Sequence, residues 1–293
     1  MAIGRTRLLA LVQACLATAS LAAAQETINQ ATISGRVLDP QGRAVPGAFV
    51  TARQTATNVT AEAITDPEGR FRFPYLRIGP YELRARLQGF KDHSRSLVLS
   101  AGSAFDVPIT LDVAGLESAV TVVADATLLE TARSQIVGTI PQAEVQSLPM
   151  NGRNFLDLAL LVPGVSPTNT SSTQLFAETS AVPGQGLSIA SQRNLSNGFI
   201  VDGLSASDDA AGLSGITFGV DAIEQFQVVT GGAQAELGRA LGGYVNVVTK
   251  SGTNARRGTL YGFFRDDTFN GRNALTRTKL PMDQQQFLSL IHI

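Results

Sequence analysis

Apolar and polar positions alternate through the first third of the chain. Ile33, Gly35 and Val37 are separated by Ser34 and Arg36, and Phe71, Phe73 and Tyr75 by residues such as Arg72. Tyr81, Leu83, Ala85 and Leu87 alternate with Glu82, Arg84 and Arg86, while Phe105, Val107, Ile109 and Leu111 are interleaved with residues such as Asp106 and followed by Asp112. A period of two sends one set of side chains to a core and the other to water, so the pattern predicts half-buried antiparallel strands. Weaker runs near 48–53, 57–64 and 96–99 bring the total to about seven, enough for a small sandwich over residues 30–113. The punctuation agrees. Asp39-Pro40-Gln41-Gly42 and Asp66-Pro67-Glu68-Gly69 each place Pro second and Gly fourth, as a type I turn prefers.

Past residue 130 the pattern mixes helix and strand. Leu148–Phe155 leads into an apolar helical stretch of Leu156, Leu158, Ala159, Leu160 and Leu161, which Pro163-Gly164-Val165 ends. Phe199–Gly203 predicts a buried strand closing in a tight turn, and Ala222–Val229 a helical turn that runs into a strand. Ala235–Gly243 leads to a strand at Val245–Lys250, and Ser251–Asn254 is a turn. From Gly258, Thr259–Asp266 reads as a strand with an aromatic cluster.

The N-terminus reads as an export signal. Arg5 and Arg7 precede a charge-free run from Leu8 to Ala24 that ends in Ala22-Ala23-Ala24, the three-part pattern of a cleaved secretory signal over 1–24. A membrane anchor is the alternative, but the run is short and Ala-rich for one. Cys15 falls inside the signal.

Composition then narrows the chemistry. Twenty-three basic against 24 acidic residues give a net charge of −1, which argues against a nucleic-acid partner needing a basic face. The single Cys excludes a disulfide framework, and two His, at 93 and 292, leave no set of nucleophile, base and acid. His93, between Asp92 and Ser94, reads as a solvated loop residue rather than a metal ligand. Asp202, Asp208 and Asp209 lack the alternating oxygen ligands of a calcium loop and read as a solvated turn. Gly231-Gly232 and Gly242-Gly243 lack the context of a phosphate loop and read as close-packing glycines. No enzyme, cofactor or metal is expected.

Ser34-Gly35-Arg36-Val37 with Asp39 and Gly42, Val45-Pro46-Gly47-Ala48, Thr65-Asp66 through Phe71, Tyr81-Glu82-Leu83 and Gly89-Phe90 resemble the carboxypeptidase regulatory-like, transthyretin-like family. That resemblance implies a non-catalytic module. Behind it, Leu148–Phe155, Pro163–Val165, Val201–Gly203, Ala222–Val229 and Ala235–Asn254 resemble, in this order, the plug of TonB-dependent outer-membrane receptors of the Oar-like branch. The fold class expected is therefore mixed: an all-β transthyretin/Ig-like sandwich, an α+β plug over 130–254, and the first strands of an incomplete β-barrel over 257–293. The family also implies a TonB box, placed by position and composition on Ala119, Val120, Thr121, Val122 and Val123 in a linker over 114–129. On composition alone that run reads rather as an edge strand or linker closing the sandwich. Asn151, Gly152, Arg153, Asn154, Asp202, Gly203, Glu236, Gly238 and Arg239 carry the plug motifs, and Arg153 and Arg239 are expected to pair with acids of the plug or barrel wall.

The implied partners are a TonB-type periplasmic energy-coupling protein, the outer membrane and an unknown substrate. The implied function is energy-coupled uptake gated by the plug. The competing reading is a secreted or surface-attached adhesion protein that binds through the sandwich. Leu288–Ile293 departs from the family's Gly-rich continuation, and the expectation is a truncated or mis-joined reading frame with His292 uninformative.

Overall fold

A computed structural model describes residues 28–113, 121–123, 135–150, 153–168, 186–208, 214, 219–232, 237–272, 275, 277–279 and 281–292. The export signal, Ala119, Val120, Asn151, Gly152, Asp209, Glu236 and Ile293 lie outside them. Strand dominates among the described residues.

The first unit is a two-sheet sandwich. β1 (Gln30–Leu38) lies between β4 (Arg70–Arg77) and β7 (Ala104–Asp106), with β8 (Ile109–Thr110) also on β1. The second sheet runs β3 (Thr60–Ile64), β2 (Phe49–Gln54), β5 (Gly79–Arg86), β6 (His93–Leu99), β9 (Thr121–Val123). Alternation does what it predicts: Ala31, Ile33, Val37, Phe71, Phe73, Tyr81, Leu83 and Ala85 all turn into one core. Gly42 and Gly69 close both predicted turns by donating to the Asp39 and Asp66 carbonyls at 2.9 Å. The Thr65 hydroxyl ties the β3–β4 and β1–β2 connections together inside, donating to the Val45 carbonyl at 2.7 Å and accepting from the Ala48 amide at 2.8 Å.

Three expectations are corrected. Tyr75 is 46% exposed and Leu76 is buried instead. The pairing of β1 with β4 slips between Ala31 and Ile33, so β4 gains a residue and the alternation changes face after Phe73. The segment from Phe105 to Leu111 is buried as expected, yet β7 and β8 run parallel to β1, not antiparallel. His93 is no solvated loop residue. It opens β6, pairs with Ala85 and is half-buried.

The second unit is built on a five-stranded sheet in the order β10 (Ile136–Pro141), β15 (Ile223–Gly231), β16 (Gly243–Thr249), β13 (Asn197–Val201), β14 (Leu204–Ser205). β11 (Val165–Pro167) and β12 (Leu187–Ile189) form a separate ribbon. Helix is scarce. Among the described residues it amounts to α1 (Gln142–Ser147) and short 3-10 turns, and the predicted apolar helix is the 3-10 segment Phe155–Leu161. Phe155, Leu156, Leu158 and Ala159 from it pack with Phe226, Val228, Val245 and Val247 into the core of this unit. No helix among the described residues is long and apolar enough to cross a membrane.

β17 (Arg257–Asp266) and β18 (Asp283–His292) pair antiparallel over ten residues each, with Arg257 opposite His292. The tail that looks foreign by sequence is thus in register along β18, one face more exposed than the other in strict alternation. Among the described residues no closed barrel is present.

Candidate functional site

Of the residues singled out by sequence, Arg153 and Asn154 lie where the second unit meets the β17–β18 hairpin. Arg153 precedes the 3-10 segment, with Asn154 capping it by accepting from the Leu156 amide at 3.1 Å. The Arg153 backbone is left-handed, at φ 54°, a conformation that costs a residue with a Cβ on the order of 1 kcal/mol. Its side chain explains why that strain is tolerated. The guanidinium lies 3.8 Å from the Phe263 ring centroid and 5.4 Å from that of Tyr261, both on β17, and ion-pairs with Asp221. The pair is only about a quarter exposed on each side. One cation therefore joins the 3-10 segment, the turn ahead of β15 and the hairpin wall. Gly219 leaves room for this seam, since a Cβ there would stand 2.0 Å from the Tyr261 hydroxyl oxygen.

Asp202 and Gly203 form the two-residue loop between β13 and β14, both with positive φ, at 50° and 87°. That is the backbone a type I′ hairpin demands and Asp-Gly supplies. Asp202 also reaches out of its own hairpin. Its carboxylate accepts from the Thr249 amide at 2.9 Å and the Thr249 hydroxyl at 2.6 Å, fastening the loop to the end of β16. Asp208 lies apart in sequence from this tie, and no three His, Cys, Asp or Glu side chains among the described residues are placed to hold a metal ion. Gly238 and Arg239 sit in the loop before β16, where the Tyr244 hydroxyl donates toward the Leu237 carbonyl at 2.5 Å and the Gly238 carbonyl at 3.1 Å. Arg239 is left-handed at φ 70°. Gly242 and Gly243 are close-approach positions: a Cβ would come within 2.3 Å of Asn197 and 2.4 Å of the Val229 carbonyl.

The part of the proposed box that is described, Thr121–Val123, is strand β9. It pairs in parallel with the start of β6, His93 with Thr121, Ser94 with Val122 and Arg95 with Val123. Burial holds the His93 imidazole below its ordinary pKa, helped by Arg95 and opposed by Asp112. The structure thus brings Arg153 and Asn154 to one seam and leaves Asp202, Gly203, Gly238 and Arg239 at separate ties of the same sheet.

Sequence reading singled out Arg153 but not its partners Asp221, Tyr261 and Phe263. It also passed over Gln225 and Gln227, although amides within so apolar a strand are a signal of buried hydrogen bonding.

Comparison with known proteins places these observations. The carboxypeptidase regulatory-like domain family matches residues 32–112. TonB-dependent transporter Oar of Myxococcus xanthus is 31% identical over 255 residues, covering 83% of this chain and 22% of the relative, so the chain spans about a fifth of that protein's length. Among solved structures, the outer membrane transporter YddB from Escherichia coli is similar at 18% identity and a TM-score of 0.37, over 45% of this chain and 19% of that one. The siderophore receptor PirA from Acinetobacter baumannii is similar at 24% identity and a TM-score of 0.37, over 49% and 21%.

Proposed function

Because the chain is a relative of the Oar-like TonB-dependent outer-membrane receptors over most of its own length, we propose that it forms the exported front of such a receptor. The sandwich over 30–113 precedes a plug over 130–254, and the hairpin from residue 257 begins the surrounding wall. Identity to the Oar transporter across 83% of the chain carries this reading, since the match extends from the sandwich well into the second unit. The Arg153 seam adds a physical reason: a plug must touch its wall by contacts that hold at rest and can be broken, and a half-buried cation over two rings is of that kind.

In this reading the plug occludes the wall, the substrate is unknown, and a TonB-type periplasmic protein engages Ala119–Val123. Strand addition suits such a segment because main-chain hydrogen bonds supply the affinity. A membrane setting also accounts for Leu260, Phe264, Phe287 and Ile291 of the hairpin, all mostly exposed. No reaction is assigned to the sandwich.

The test is a binding measurement. Val122→Pro removes an amide and fixes φ, and in the complete receptor it is expected to weaken retention of the purified periplasmic domain of a TonB-type protein at least tenfold. Val122→Ala, which keeps the backbone, is expected to bind as the unaltered receptor does. Equal binding by all three would remove the box from these residues.

A further inference from the structure

Strand β15 is buried on both faces. Phe226 and Val228 point into the core of their own unit, while Gln225 and Gln227, two apart and so on the opposite face, are also buried. What covers them is the sandwich. The Ala101 amide, in the turn after β6, donates to Gln225 Oε1 at 2.8 Å, and Gln227 Nε2 donates to the Ala101 carbonyl at 2.8 Å. The two side-chain amides thus offer Ala101 one acceptor and one donor, as a neighbouring strand would. Gln227 is held in turn by Thr139 and Asn246, at 3.3 Å each.

A second contact lies at the same end of the sandwich. In the turn between β2 and β3, the Ala56 carbonyl accepts from the Asn254 amide at 3.2 Å and the Thr57 carbonyl from Asn254 Nδ2 at 2.7 Å. Asn254 stands in the short segment between β16 and β17, where the second unit gives way to the hairpin.

From these two contacts we propose that the loop end of the sandwich is a strap that fastens the plug sheet to the plug–wall junction and holds the plug closed. One contact grips the central sheet and the other grips the segment leading to the wall. The plug cannot shift relative to that segment while both hold. The grip on the sheet is made by buried amides and the one on Asn254 lies in the open, so both are specific in geometry yet releasable: each bond broken is replaced by one to water once the faces part. This rests on the receptor reading above, which supplies the wall.

Hydrogen exchange on this chain in detergent micelles tests the strap without reference to transport. Gln225→Ala with Gln227→Ala is expected to speed exchange at least tenfold at the Ala101 amide and, together with it, at the Asn254 amide, while Phe226 and Val228 stay protected. Faster exchange at Ala101 alone would show two unrelated contacts and overturn the strap. General loss of protection would show a folding defect, and Asn254→Ala, placed in an exposed turn, then decides by whether Ala101 exchange rises. In cells making the complete receptor, the paired glutamine variant is expected to raise sensitivity to a glycopeptide antibiotic too large for the intact outer membrane. Unchanged sensitivity with the receptor present in that membrane would overturn the holding role. An unaltered receptor absent from the outer membrane would instead refute the receptor reading, absence of the variant alone would show a folding defect, and in either case exchange alone would judge the strap.

Discussion

Arg153 is the residue on which the seam turns. It carries a left-handed backbone, an ion pair and two aromatic contacts, and its Nε lies buried without a partner, so its position is held by its neighbours rather than by its own preferences. Arg153→Met keeps length and loses charge. It is expected to cost about 1–2 kcal/mol in urea unfolding of the chain in micelles, the size of a partly desolvated cation–π contact and its associated pair. A double-mutant cycle with Asp221→Asn separates the two contributions, and strict additivity would show that the pair contributes nothing. His93 offers a second residue-scale check. Its folded pKa is lowered, so as pH falls the unfolded chain takes the proton first. The sandwich is therefore expected to lose stability as pH drops below about 6.5 toward the lowered value, and to be unaffected by this group above it. Magnetic-resonance titration of the imidazole, assigned with His93→Gln, should place its midpoint below 6.5; a midpoint at or above that value would mean a solvated ring.

At the scale of elements, legibility followed the number of faces an element shows to water. β1 and β5 have one wet face, and their alternation could be read directly. β15 and β16 are buried on both faces along most of their length, so no alternation separates the polar positions Gln225 and Gln227, which form an interface, from a wet face. The slip at Ala31/Ile33 hid Tyr75 and Leu76, because a bulge depends on the partner strand and leaves no local period. The parallel course of β7 and β8 was hidden for the same reason, three- and two-residue strands carrying no mark of direction. One glycine inside β1 links these elements. At Gly35 the chain between β7 and β8 crosses so closely that a Cβ would stand 2.1 Å from the Val107 carbonyl and 2.8 Å from the Phe71 ring. Gly35→Ala is expected to destabilise the sandwich by about 2–3 kcal/mol in urea unfolding, since the backbone contact cannot be relieved by a rotamer change. Gly42→Ala, at φ 79° with nothing within 4 Å, is expected to cost only about 1 kcal/mol, and equal losses would mean that the crossing at Gly35 relaxes freely.

For the molecule as a whole, the strands of a first sandwich, a second sheet and a terminal hairpin were within reach of the sequence, and the joints between them were not. The partners of Arg153 and of Ala101 lie 68 and 124 or more positions away along the chain, and no pattern within one element points to them. The cation lodged against the aromatic wall has a kinetic corollary. A plug drawn inward would carry an arginine whose twisted main chain has lost the rings that made the twist worthwhile. In the receptor proposed above, displacement would then be uphill and return downhill, so energy would be spent only on opening and the gate would recoil shut unaided.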